Sequence, residues 1–92
     1  MRDIRLHTRD PVVALAELVP RLTAALGPHG FIAEGAGNDW AHWVREGDDS
    51  VVLRAYASLS DGGLVSITMT GAPMRAEVER DVRRVVASAA TI

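Results

Sequence analysis

The sequence contains no cysteine and no lysine. Without cysteine there is neither a disulfide framework nor a thiolate metal site. All 10 basic residues are arginine. With abundant Ala, Val and Gly, that is the composition of a GC-rich genome, and it points to a bacterial source. Aromatic residues are scarce, at 4% of the chain: one Phe, one Tyr and two Trp. No apolar run approaches the length of a membrane span, so no membrane association is expected. The opening Met1-Arg2-Asp3-Ile4-Arg5 interrupts apolar residues with charge. A signal peptide needs an unbroken apolar stretch there, which makes a cytoplasmic protein the expectation. A formal net charge of −2 argues against nucleic-acid binding, which needs a basic footprint.

What remains is an ordinary globular balance, with 48% hydrophobic and 24% charged residues in 92. That length suits a single domain over residues 1–92 with a small core. Oligomerisation, most simply a homodimer, is a common remedy for a core of that size.

Hydrophobic spacing predicts an α+β fold. Residues 2–7 alternate and read as a short N-terminal edge strand. Asp10-Pro11 opens a helix over 11–26, because Asp accepts from the first free amides and Pro is harmless at the first helical position. Val12, Leu15, Val19, Leu22 and Leu26 form its apolar stripe. Pro20 predicts a kink, and Gly27-Pro28 a stop. Strands follow over 30–34, 40–46, 51–59 and 64–70, joined by short Gly/Asp turns that only antiparallel neighbours can use. A second helix opens at Pro73 and runs to about residue 90, with Met74, Val78, Val82, Val85, Val86 and Ala89 on its apolar face. The expected architecture is a two-layer sandwich: a four-stranded antiparallel meander with both helices on one face.

Turn lengths sort the sheet into faces, since a one-residue slip flips every side chain. A three-residue turn at Asp61-Gly62-Gly63 sets Leu59 against Val65, Ala57 against Ile67 and Ala55 against Met69 on the core face. It leaves Ser58, Tyr56 and Arg54 opposite Ser66, Thr68 and Thr70 on the open face. For the preceding hairpin, pairing Glu46 with Val51 puts Trp40, His42 and Val44 on the core face and Trp43 on the open face. A three-residue turn reverses this and buries Trp43. The first register predicts an open face carrying Trp43, Arg45, Arg54, Tyr56, Ser58, Ser66, Thr68 and Thr70. Trp, Tyr and Arg are the side chains enriched at binding hot spots.

No catalytic constellation emerges. His7, His29 and His42 lack partners at metal spacing, and without Cys no four-ligand zinc site forms. A lone His42 lacks the base-and-orienter logic of nucleophilic catalysis. The acidic turn residues Asp39, Asp48, Asp49 and Asp61 serve local backbone amides. Gly35-Ala36-Gly37 and Asp61-Gly62-Gly63 precede no helix and so cradle no phosphate. Neither a cofactor nor a metal is expected. The sequence therefore favours a non-catalytic interaction module of adaptor, chaperone or small-inhibitor type. Trp43, Arg45, Arg54, Tyr56 and Thr68 would bind a protein partner or a second copy across the open face, or edge strands would pair. The alternative is a small-molecule or enzymatic pocket between sheet and helices, lined by Trp40 and His42, with Tyr56 or Glu34 contributing.

Overall fold

Asp10 caps the first helix: its carboxylate accepts from the Val13 amide, and Pro11 occupies the first turn. Helix α1, Pro11–Leu26, then runs on across Pro20. A short 3-10 turn, Gly27–His29, follows, and Gly30 adopts a left-handed φ of 84° that releases the chain into the sheet. The computed structural model describes residues 4–45, 48–70 and 76–90. The expected helix start at Pro73 and Met74 lies outside the described residues, as does Glu46-Gly47 of the second turn.

Among the described residues the sheet has five strands: β1 (Ile4–His7), β2 (Phe31–Ala36), β3 (Trp40–Arg45), β4 (Asp48–Ser58) and β5 (Leu64–Thr70). All neighbours are antiparallel, in the order β1-β5-β4-β3-β2. The expected meander is thus present, and the short N-terminal strand completes it as a fifth, at the β5 edge. Helix α2 spans Ala76–Ala90.

Both helices cover one face. Leu15, Leu18, Leu22 and Leu26 of α1 and Val82 and Val86 of α2 join Leu53, Ala55, Val65 and Ile67 in one buried cluster. The stripe of α1 differs from expectation at its start, where Leu18 is buried and Val12 is 43% exposed.

The last hairpin pairs Ala57 with Val65, Ala55 with Ile67 and Leu53 with Met69. Its loop is longer than three residues. Ser60–Gly62 form a 3-10 turn in which Asp61 takes a left-handed φ of 54°, and Leu59 is left 82% exposed instead of on the core face. The register therefore slips by two, which preserves which side chains face the helices. Ala55 and Ile67 are fully buried, while Tyr56 and Thr68 lie on the opposite face.

The middle hairpin differs by one residue, and that inverts it. Trp43 pairs with Leu53, Ala41 with Ala55, His42 with Arg54 and Trp40 with Tyr56. A register irregularity after Val44 brings Arg45 opposite Asp48, so loop length alone does not set the pairing. Trp43 is accordingly in the core, 1% exposed. Two facts favour that side. Ala41 and Ala55 are small neighbours that leave room for an indole, and Thr23 of α1 offers its hydroxyl to Trp43 Nε1 at 3.0 Å.

Candidate functional site

Pairing registers assign the open face row by row. Ile32, Val44, Val52 and Thr70 form one row, and His42, Arg54 and Thr68 the next. Trp40, Tyr56, Ser66 and Arg5 form a third, and Ser58, Leu64 and His7 a fourth. Of the residues expected there, Arg54, Tyr56, Ser58, Ser66, Thr68 and Thr70 are in place. Trp43 is not, because it fills the core. Arg45 is not either: it pairs with the buried Phe31, and its side chain runs beside Gly30 at the end of the sheet. Trp40 and His42 take their place. These two do not line a space between sheet and helices, so the pocket expected around them is not built by this register.

The centre of the open face is an aromatic cluster. The rings of Trp40 and His42 lie 4.9 Å apart at a tilt of 53°. Those of His42 and Tyr56 lie 5.9 Å apart, edge to face at 76°. His42 Nε2 and the Tyr56 hydroxyl are 3.3 Å apart, a long hydrogen bond that ties neighbouring strands together. Beside them Arg54 donates to the Thr70 hydroxyl at 3.2 Å, which spreads its guanidinium along the sheet.

Trp40 is seated by glycine. A Cβ built on Gly37 would run into the Trp40 indole Nε1, and one on Gly35 would lie 3.2 Å from its ring. The Gly37 amide also donates to the Trp40 carbonyl at 2.9 Å. The Gly35-Ala36-Gly37 run is thus more than a turn signal. Its missing side chains make the bed in which the indole lies, half-buried at the head of the cluster.

Apolar area extends from there. Tyr56 is 42% and Ile32 50% exposed, and Val44 and Val52 lie half-buried in the row shared with Ile32. Glu34 sits at the register irregularity of β2, between paired Ala33 and Gly35. Across the paired rows the charged or titratable residues are Arg5, His7, His42, Arg54 and Tyr56; among the described residues no Asp or Glu pairs into them. Glu34, exposed at the β2 irregularity, is the carboxylate that borders these rows.

Among the described residues no three His, Asp or Glu side chains converge as metal ligands do. No helix among them is long and apolar enough to cross a membrane. No protein-family model matches the sequence, and no curated protein matches it.

Proposed function

We propose that this protein is a non-catalytic interaction module that grips a protein partner with its open sheet face. The observation that supports this reading is the Trp40–His42–Tyr56 cluster on the open face, half-buried at Trp40 and His42 and exposed at Tyr56, flanked by Arg54 and by the apolar row of Ile32, Val44 and Val52. Aromatic and Arg side chains grouped at the middle of a face are what binding hot spots are made of. Apolar area contiguous on a sheet is costly to leave in water. Arg54, beside the cluster in rows into which no Asp or Glu pairs among the described residues, favours a partner that carries carboxylates over a second copy of the same face.

The test is site-directed photo-crosslinking in the native host, with a benzophenone side chain placed at Tyr56 or, as a control, at Arg83 on the exposed side of α2. A discrete adduct is expected from position 56 alone, and its loss on Arg54→Glu. Light scattering of the pure protein reports self-association. Adducts from position 83 but none from 56, or a homodimer that Arg54→Glu leaves intact, would overturn the reading.

A further inference from the structure

His42 stands at the centre of the open face, and its contacts there change with its proton. Its ring lies 4.9 Å from that of Trp40 and 5.9 Å from that of Tyr56. Its Nε2 is 3.3 Å from the Tyr56 hydroxyl. A neutral imidazole has one N–H and one acceptor nitrogen, so Nε2 can accept from the phenol; a protonated imidazole only donates. On protonation Nε2 donates to the phenol oxygen, and the Tyr56 O–H turns out toward whatever covers the face. The same proton sets a cation against the Trp40 indole, an attraction that reaches about 6 Å from a ring.

The charged neighbours decide what that proton does to binding. Arg54 of β4 pairs directly opposite His42, a placement in which Cβ atoms stand about 4.5–5.5 Å apart and like charges destabilise. β2 brings Gly35 opposite His42, with Glu34 next to it at the irregularity, a carboxylate that favours the charged ring. β5 adds Thr68 to the row, without charge. Along β3 the flanking positions on this face are Trp40 and Val44, and both helices pack on the other face. Among the described residues, Arg54, Tyr56 and Glu34 are therefore the charged or titratable groups that face His42 from neighbouring strands.

In the free protein a protonated His42 stands against Arg54. A carboxylate laid over the two relieves that repulsion and meets a second cation. We infer that His42 makes the grip of the open face proton-dependent, tightening on a carboxylate-bearing partner as the ring takes up a proton. The inference rests on the reading of this face as the partner surface. A partner that prefers the charged ring must hold its proton to higher pH. Affinity therefore rises as pH falls through the midpoint of the complex, and levels off below that of the free protein.

Two measurements test this between about pH 8 and about pH 5, the range in which histidine changes charge. In the Trp43→Phe protein Trp40 is the only indole, and a protonated imidazole quenches an indole beside it. Its emission should fall through one transition that His42→Gln removes. For the partner, a benzophenone side chain at Ile32, which is 50% exposed and leaves the cluster whole, is photolysed in clarified host lysate. The adduct should rise about two- to fivefold from the upper to the lower end of that range, the size of a partly exposed ion pair, and stay level in His42→Gln. Should His42→Gln fail to fold, the ring-proton titration of His42, followed by NMR, gives the midpoint that the Trp40 emission must share and below which the adduct must level off. Flat Trp40 emission, an adduct that is equal across the range or weaker at low pH, or a pH dependence unchanged in His42→Gln would overturn the inference. An adduct that ignores pH leaves the partner reading standing, whereas no adduct at any pH overturns that reading and this inference with it.

Discussion

The indole Nε1 of Trp43 donates to the hydroxyl of Thr23 at 3.0 Å, and that hydroxyl donates onward to the Val19 carbonyl at 2.8 Å. The contact joins the middle of the sheet to α1, and it satisfies a buried donor that would otherwise favour the wet face of the sheet.

Thr23→Val keeps the shape of the side chain and removes the acceptor. The buried indole N–H is then stranded, at a cost of about 1–3 kcal/mol. Thr23→Ser should recover most of the loss. Urea denaturation of the three proteins checks this. Trp43→Ala should cost more, about 3–5 kcal/mol, because it also opens a cavity.

The two tryptophans should report their faces separately. With Trp40 replaced by Phe, the remaining emission comes from Trp43 and should be blue-shifted and resistant to iodide. With Trp43 replaced by Phe, Trp40 emission should be red-shifted and quenchable. Emission spectra and iodide titrations suffice, and equal quenching of both variants would contradict the observed register.

These outcomes mark where the sequence is legible. Asp10-Pro11 and Gly27-Pro28 act within a few residues of themselves, and the limits of α1 follow from them. The faces of β4 and β5 are legible too, because a slip of two residues restores every side chain to its side. The orientation of β3 is not, since it turns on a one-residue irregularity after Val44 that no turn motif announces. The clue lay elsewhere: Thr23 in a helix otherwise lined with leucine, and alanine at 41 and 55 around an indole. Both signals become readable only once helix and sheet are superposed. Trp40 and Trp43 exchange faces between the two registers, while Arg54 and Tyr56 stay on the open face in both.

Glycine substitutions should divide by what a methyl group meets. At Gly27 a Cβ would meet nothing within 4 Å, and its φ of −53° is helical, so Gly27→Ala should stabilise by about 0.4–1 kcal/mol. Gly37→Ala should destabilise, because the methyl displaces the Trp40 indole, and the emission of Trp40 should shift with it. Gly63→Ala should be worst of the three. It combines a φ of 116° with a collision against the Thr8 carbonyl. Thermal melts of the three variants give the ranking.

Pro20 is exposed on a helix it cannot hydrogen-bond. Pro20→Ala lets position 20 donate to the Ala16 carbonyl and should raise the melting temperature, with a gain below the ~3 kcal/mol that an interior proline costs an isolated helix. Calorimetry checks the direction. A lower melting temperature would show that the packing of α1 on the sheet depends on the proline.

The placement of β1 has a kinetic consequence. β2 to β5 pair with their neighbours in sequence, so the meander assembles from short loops. Ile4 finds Ile67 only across most of the chain, and closing that span has to wait until β5 has a sheet to belong to. β1 therefore arrives last and departs first. Between those events the β5 edge stands bare, with the main-chain groups that β1 would pair turned to solvent. The chain's exposure to misassembly is concentrated in that interval, and it lasts as long as four residues, Ile4–His7, remain undocked.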